Sequence, residues 1–424
     1  MQTEKEGYRN SKWIYLTVAA LTVSFFVSDP TLEFLYIFYC TYRVQTVVRL
    51  LKTAAMAIVC CLCGYRLFQC IRMHERIAYG FIPCYLLIYF GYLVSCVVNA
   101  GTDYLPRWWD ALSSTLIPLL VFNIFSDDKD SFKLLIRVFS VCYLFLAIFN
   151  LIFYCFPQLY IGEAKEWREL FFLGSKNRAG WPLMLGAFFH LLNDHMNNRK
   201  AETVFYLLLL LANSVVIACM TSLAGVFVLL LYYFIPPVKN IFQKWHFIVF
   251  IIFSMVLFVI LMWFLLPITV SKPVWFLLGL LGKSPGLSDR YDIWGTGVKL
   301  VISYSPFFGF GFLGSTAVIP HANDYGITYH HAHNEFLQCW FEGGLLTILI
   351  VVFTLAIAAW FLEKCEDRKL AGICKMTLFS FLLMLQGDIL PYYPWYMIAL
   401  IANCSLLLTE QLNPHKCRKN DVKV

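Results

Sequence analysis

Charged residues are scarce in this chain. Asp, Glu, Lys and Arg make up only 14% of its 424 residues, whereas 60% of the residues are hydrophobic, and the mean hydropathy is +0.68. Soluble globular proteins carry about 25% charged residues, so this composition excludes a soluble domain. Apolar runs of roughly 20 residues recur along the chain, and each can cross a bilayer as a helix. The sequence therefore predicts an all-α, polytopic integral membrane protein.

Two further features are missing. The apolar runs lack the segments of about ten residues with alternating polarity that are typical of an outer-membrane barrel. No basic groove accompanies the aromatic residues, so the net charge of +7 does not indicate nucleic acid binding. The basic residues lie instead in short loops, as they do on the cytoplasmic face of inner-membrane proteins.

The hydrophobic runs predict about twelve transmembrane helices. The predicted spans are residues 12–28, 53–71, 79–99, 109–125, 131–156, 176–193, 202–217, 218–235, 246–268, 335–362, 369–386 and 394–410. Residues 29–52 are apolar but contain Lys and Arg, and a full span there would invert every later loop. We expect them to form a re-entrant or interfacial segment that interacts with membrane lipids.

Lys and Arg fill alternate loops and flank both ends of the chain, which places both termini in the cytoplasm. The chain then divides into three parts. Residues 1–268 form an N-terminal bundle of about nine spans. Residues 269–334 form a large extracytoplasmic loop, and residues 335–424 form three further spans and a cytoplasmic tail. Long loops carry function more often than short ones, so the loop is the first place to search for a site.

A helix is expected within that loop at residues 287–304, LSDRYDIWGTGVKLVISY, whose apolar positions, among them Trp294, recur at helical spacing. Ser288 or Asp289 is placed to cap it. Arg290 falls in the first turn, where the helix dipole disfavours a cation. Either an anion binds this guanidinium, or the side chain simply extends into solvent.

The following stretch, SPFFGFGFLGS, contains Gly309 and Gly311, which permit tight turns and close backbone approach. A GxG sequence alone is weak evidence for phosphate binding. A turn that packs aromatic side chains against the membrane surface is the interpretation we favour.

The loop ends in a cluster of polar residues: His330, His331, His333, Asn334 and Glu335. Histidines can bind zinc, but neither a cysteine neighbour nor an HExxH spacing supports a metal. The cluster could also be a surface feature without a role. Alternatively, His333 is a general base, since imidazole takes a proton near neutral pH. Asn334 or Glu335 would then orient it, or Glu335 would itself be the base.

These residues resemble a known family. His333-Asn334, nine residues, Gly344, two residues and Thr347 are similar to the H-[NSQ]-x9-G-x2-[GTY] pattern of bacterial O-antigen ligases. The stretch before them resembles the [SG]-x-R-x-x-x-W…SP-x-x-G-x-G sequence that ligases share with Wzy-type O-antigen and capsule polymerases. Together the two motifs cover residues 287–347, in the family's order and on the expected loop.

The resemblance implies a metal-independent, inverting glycosyltransferase of the GT-C kind, without a cofactor, in the bacterial cytoplasmic (inner) membrane. Its donor would be a glycan on undecaprenyl diphosphate, on the extracytoplasmic face. Its acceptor would be a glycan or lipid-A-core hydroxyl, and polysaccharide-assembly proteins would be partners. Carried over from the family, Arg290 holds the diphosphate and His333 activates the acceptor. Asn334 and Glu335 complete the expected catalytic set.

The chain also departs from the family pattern. Ligases and many polymerases carry an arginine in a T-R-[AST] segment, and Ser222 stands at the comparable place. Lys176 or Arg178 is our candidate for the missing cation, although either side chain could instead anchor a helix end. We expect His331, Gly309 and Gly311 to add contacts to the substrate.

Two questions of function stay open at this level. A polymerase is slightly favoured over a ligase, because the missing arginine moves the chain away from the ligase pattern while the His333-Asn334 motif points toward it. The alternative of another class is a transporter or flippase for lipid-linked oligosaccharide. A transporter would place ionisable groups near the middle of the membrane and often shows related halves.

Overall fold

The computed structural model describes residues 79–99, 104–124, 129–156, 170–217, 220–260, 290–312, 331–387 and 395–412, with scattered helical residues between 50 and 72. The predictions for the span 12–28, the segment 29–52, the caps Ser288 and Asp289, and His330 lie outside these residues. In chain order the elements are α1 (Ile82–Val98), α2 (Tyr104–Ile124), α3 (Lys129–Cys155), β1 (Leu170–Phe171), β2 (Gly174–Ser175), α4 (Lys176–Asn197), α5 (Lys200–Ile217), α6 (Met220–Phe234), α7 (Pro236–Lys244), α8 (Phe247–Ile260), α9 (Arg290–Tyr304), α10 (Glu335–Lys364), α11 (Arg368–Leu385) and α12 (Tyr396–Leu412).

The all-α class is confirmed for the described residues, apart from the two-residue antiparallel strands β1 and β2. Three described stretches are long and apolar enough to cross a bilayer: Phe132–Cys155 in α3, the whole of α5, and α10. A fourth arises if α6 and α7, which meet at an angle of 101°, form one broken span. The full count of about twelve spans stays a prediction.

The helix bounds follow the apolar runs closely. The loop helix predicted over 287–304 is α9, and its described part begins at Arg290. In the long run from 202 to 235, the described part of α5 ends at Ile217 and that of α6 begins at Met220. The predicted break near Cys219 lies between them, outside the described residues, and stays a prediction. Helix α2 begins at Tyr104, earlier than the predicted 109, because its first turn contains Pro106 and the charged Arg107 and gives a weak hydropathy signal.

Helix α4 lies at the centre of the bundle and packs against α3, α5 and α11. Its side chains Trp181, Met184 and Phe188 are at most 1% exposed. The ring of Phe189 stacks on Phe122 and Tyr143, with centroids 5.9 and 5.8 Å away. Without a hydrophobic driving force between helices in lipid, such close side-chain packing stabilises a membrane bundle.

Polar contacts join the helix ends into two groups. At one end, His195 Nε2 lies 2.8 Å from the carboxylate of Asp367, and the buried Lys375 Nζ lies 2.8 Å from Glu363. At the other end, the start of α10 is bonded to the end of α11. The ends in each group are those that the alternating loop charges assign to one side of the membrane.

Candidate active site

Helix α10 is interrupted near the motif glycine. Gly344 has φ 68° and ψ −172°, far from helical values, although the residues on both sides are helical. In a regular helix the amides of Leu345 and Leu346 would donate to the carbonyl oxygens of Phe341 and Glu342. The interruption removes these two hydrogen bonds. Phe341 and Glu342 are both buried, so their carbonyl oxygens need other donors.

The glycine-containing loop supplies those donors. The amide of Phe310 donates to the carbonyl oxygen of Phe341 at 2.7 Å, and the amide of Gly311 donates to that of Glu342 at 3.1 Å. The hydroxyl of Ser95, on α1, donates to the same Glu342 oxygen at 2.5 Å. The interrupted turn is therefore satisfied by a segment about 30 residues away in sequence and by a neighbouring helix.

Hydrogen bonds also run in the opposite direction. The amide of Leu345 donates to the carbonyl of Pro306 at 3.0 Å, and the amide of Leu346 donates to that of Phe307 at 3.2 Å. The residues from Pro306 to Gly311 thus replace one turn of helical hydrogen bonding on both sides of the interruption. This contact gives the SP-x-x-G-x-G motif a physical reason that is independent of any ligand.

Glycine is required where these backbones meet. Gly309 and Gly311 have φ values of +66° and +97°, in the left-handed region. A Cβ on Gly309 would lie 2.6 Å from the amide nitrogen of Gly344, and one on Gly311 would lie 2.5 Å from the ring of Tyr104. A substrate contact of both glycines was predicted from the sequence and stays a prediction. Their amides, however, already donate within the protein, that of Gly309 to Ser305 at 2.9 Å.

Asn334 begins helix α10. It is fully buried, and its side-chain oxygen accepts a hydrogen bond from the amide of Leu337 at 2.9 Å, which is the geometry of an N-cap. Its Nδ2 donates to the carbonyl oxygen of Gln386 at 2.9 Å, at the end of α11. Asn334 thereby fixes the backbone that directly follows His333.

His331 and His333 lie side by side just before this cap. Their ring centroids are 3.8 Å apart, with an interplanar angle of 66°, and both residues are half-buried. His333 has φ 50°, an unusual conformation for a residue with a side chain, which is held only where the surroundings require it. Strain of this kind is concentrated at functional sites. Glu335 follows two residues later and is only 1% exposed.

The two peptide groups that flank Ala332, between the two histidines, are each held by a side chain. The amide of Ala332 donates to Oε1 of Gln338 at 2.9 Å. Its carbonyl oxygen accepts a 2.6 Å hydrogen bond from Nε1 of Trp294, on helix α9. Ala332 itself is fully buried in the small cluster that joins α9 to α10. The loop helix is therefore attached directly to the histidine segment.

Arg290 is the first described residue of α9, and it precedes Trp294 by four residues, about one helical turn. Its side chain lies outside the described residues. Residues four apart on a helix lie on one face, with Cβ atoms about 5–6 Å apart. The arginine position therefore lies on the face of α9 that carries Trp294 toward the histidines.

Lys176 and Arg178 lie in the first turn of α4, and their side chains also lie outside the described residues. One turn later, the ring of Trp181 lies 5.6 Å from that of Phe381 on α11. Phe381 lies close to the end of α11 that binds Asn334. The backbone of the two basic residues is therefore at the same end of the bundle as the histidine segment.

Ser222, which stands at the family's arginine position, lies at the same end of the bundle as the histidine segment. The side chain of Ser222, near the start of α6, lies outside the described residues. Gly225, about one turn later, packs against α11, and a Cβ there would lie 2.9 Å from Sδ of Met384. The positions at 176, 178 and 222 thus enter from two helices that pack on α11.

Two polar residues of this region were missed by the sequence analysis. Gln338 and Glu342 are 3% and 1% exposed, and Nε2 of Gln338 donates to Oε1 of Glu342 at 3.1 Å. Their signal in the sequence was a pair of polar residues four apart within an apolar run. Such residues in a membrane helix face the bundle interior and mark functional or structural networks.

The zinc interpretation gains no support from the described residues. Within the ranges that the structure covers, no group of three His, Cys, Asp or Glu side chains is arranged to hold a metal ion. His331 and His333 are the pair that the structure brings together there.

One comparison with known proteins finds a family match. Residues 202–352 match the family model described as O-antigen ligase. No curated protein and no solved structure matches the chain. The matched region contains Arg290, Trp294, His333, Gly344 and Thr347, whereas the basic residues of α4 precede it. The match supports the resemblance seen in the motifs: residues 202–352 are similar to the O-antigen ligase family.

Proposed function

We propose that this protein is a membrane glycosyltransferase of O-antigen or capsule assembly, which transfers a glycan from undecaprenyl diphosphate to an acceptor sugar hydroxyl. The family match supports the general role, with a lipid-linked glycan and an acceptor as its substrates. The observation that carries the finer assignment is the hydrogen bond from Trp294 to Ala332, which joins the arginine-bearing helix to the histidine segment.

The reaction requires a base and a cationic site that stabilises the leaving group. The acceptor oxygen attacks the anomeric carbon while His333 takes the proton of the hydroxyl. The bond between the anomeric carbon and the diphosphate oxygen breaks on the opposite face of the sugar, so the configuration inverts. Negative charge develops on the leaving diphosphate, and the guanidinium of Arg290 stabilises it through paired hydrogen bonds. This division of roles does not require a metal ion.

A second cation would complete the diphosphate site. A diphosphate carries more than one negative charge, and Ser222 supplies none at the family's arginine position. Lys176 and Arg178 enter from the neighbouring helix at the same end of the bundle, as the Trp181–Phe381 contact indicates. We assign the compensating charge to one of these two residues.

The predicted membrane topology supports the choice of donor. With twelve spans and cytoplasmic termini, the loop and its histidines would lie on the extracytoplasmic face of the inner membrane. Activated sugar nucleotides are confined to the cytoplasm, so a lipid-bound diphosphate is the donor that reaches this face. Polymerisation of repeat units is the activity we favour, and transfer to lipid-A core is the second.

Reconstitution tests the proposal. The purified protein in liposomes is given an undecaprenyl-diphosphate repeat unit in buffer with EDTA, with or without a lipid-A-core acceptor. A ladder of products without the core indicates a polymerase, and transfer to the core alone indicates a ligase. If neither acceptor yields product while the lipid-linked unit changes leaflet, the protein is a transporter and the proposal is wrong.

A further inference from the structure

The segment that carries His333 is held by a chain of side-chain hydrogen bonds that begins inside helix α10. Glu342 accepts from Nε2 of Gln338 at 3.1 Å. Oε1 of the same amide accepts from the backbone amide of Ala332 at 2.9 Å. We propose that Gln338 and Glu342 are positioning residues that hold His333 in its reactive place. The proposal rests on the proposed function of His333 as the general base.

The direction of these hydrogen bonds allows one arrangement of the Gln338 amide. The backbone amide of Ala332 can only donate, so the side-chain atom that faces it must be the oxygen. The NH₂ group then faces Glu342, whose carboxylate oxygen accepts. A reversed amide would place two donors together at Ala332 and two acceptors together at Glu342. Both sites are buried, where an unmet polar group costs free energy, so the amide is fixed.

Glu342 is itself fixed by the loop motif. Its carbonyl oxygen accepts hydrogen bonds from the amide of Gly311 at 3.1 Å and from the hydroxyl of Ser95 at 2.5 Å. The hydroxyl of Ser95 also accepts from the Gly311 amide at 3.1 Å. The connection therefore runs from the glycine loop through Glu342 and Gln338 to Ala332, and Ala332 is the residue directly before His333.

Small shifts at this position have large consequences. His333 occupies a left-handed backbone conformation, which persists only while neighbouring contacts require it. Trp294 holds the peptide plane directly before His333 through the carbonyl of Ala332, and Gln338 holds the preceding peptide plane through the amide of Ala332. With both planes held, the backbone at Ala332 cannot rotate freely. A displacement of about 1 Å at a reacting group can reduce a rate on the order of 100-fold. Loss of the Gln338 contact should therefore reduce turnover more than substrate binding.

The experiment measures kcat and KM of reconstituted enzyme per folded molecule for three variants. Gln338→Met keeps the side-chain volume but leaves the Ala332 amide without its acceptor, and we expect kcat to fall about 100-fold with KM little changed. Gln338→Glu places two carboxylates together and should lower kcat at least as much. In the double variant Gln338→Glu/Glu342→Gln, the new carboxylate at 338 accepts from the Ala332 amide and from the new side-chain amide at 342. This variant should recover kcat to within about ten-fold of wild type.

A matched control makes the same chemical change elsewhere. Gln243, on α7, packs against Gly372 at the other end of the bundle, so Gln243→Glu should leave kcat near the wild-type value. Wild-type kcat in folded Gln338→Met, or a double variant no better than Gln338→Glu alone, overturns the positioning role. Full activity in His333→Ala would instead overturn the proposed function. Loss in His333→Ala with wild-type kcat in Gln338→Met would overturn only the inference made here.

Discussion

The indole nitrogen of Trp294 donates a 2.6 Å hydrogen bond to the carbonyl oxygen of Ala332, 38 residues later in the chain. This contact joins the two motifs of the family: the tryptophan that follows Arg290 by one helical turn, and the residue that precedes His333. Buried indole N–H groups usually have an acceptor, and that of Trp294 has one beside the candidate base. The tryptophan of the first motif is therefore explained by its effect on the second.

Trp294→Phe removes that donor while keeping an aromatic ring. The carbonyl of the fully buried Ala332 then lacks this hydrogen bond, at a cost of about 1–3 kcal/mol. We expect the glycosyl transfer rate per folded molecule to fall about ten-fold, since 1.4 kcal/mol corresponds to a factor of ten. Trp360→Phe, at a ring that is 53% exposed, is the control and should have no effect. Equal transfer rates in both variants would show that Trp294 does not contribute to the site.

Arg290→Lys keeps the positive charge but replaces a planar fork of donors with a single ammonium group. Paired hydrogen bonds to a diphosphate depend on the guanidinium geometry, so we expect transfer to fall at least about 100-fold. Arg199→Lys changes an exposed residue that pairs with Glu202, and it should be neutral. Near-normal turnover of the Arg290 variant would argue against diphosphate binding at this position.

Gly344→Ala tests the interrupted helix. The backbone there has φ +68°, and an added Cβ would overlap the carbonyl of Phe307. The substitution should lower the free energy of unfolding by more than about 1 kcal/mol, measured by thermal unfolding in detergent. Gly295→Ala is the matched control, because Gly295 is helical and a Cβ there meets nothing within 4 Å. That variant should be slightly stabilised, by about 0.5–1 kcal/mol.

Lys375→Met tests the contacts at the far end of the bundle. Lys375 is fully buried, and its ammonium group pairs with Glu363 at 2.8 Å and donates to the carbonyl of Trp245 at 2.9 Å. Removing one partner of a buried pair costs up to about 3–5 kcal/mol, so the melting temperature should fall. Adding Glu363→Gln to this variant should recover part of the lost melting temperature. The control Lys369→Met, at an exposed residue, should not change the melting temperature. A melting temperature unchanged by Lys375→Met would show that this pair does not stabilise the bundle.

Most helix positions could be predicted because a transmembrane helix is a local property of the chain. An apolar run of sufficient length must form a helix in lipid, and α3, α5 and α10 follow from that rule alone. The start of α2 differs from the prediction because Pro106 and Arg107 lower the hydropathy of its first turn. The spans outside the described residues stay predictions.

The arrangement of the candidate site was less accessible from the sequence. The motifs indicated Arg290 and His333, but the contact between Pro306–Gly311 and the interrupted α10 joins segments about 30 residues apart and leaves no periodic signal. The sequence around Gly309 and Gly311 therefore favoured a turn but did not reveal that their amides bond within the protein. A substrate contact of these glycines stays a prediction. Gln338 and Glu342 were overlooked because two polar residues in an apolar run do not reveal which group they hold.

The central claim is that His333 accepts the proton of the acceptor hydroxyl, beside a diphosphate held from the same loop. The most direct measurement is the single-turnover rate of glycan transfer by His333→Ala in liposomes, with His246→Ala, at a 73% exposed side chain at the other end, as the control. Loss of a general base typically reduces the rate about 10²–10⁴-fold, and we expect that loss in His333→Ala alone, with donor lipid still bound. Transfer at the wild-type rate in that variant would contradict the account.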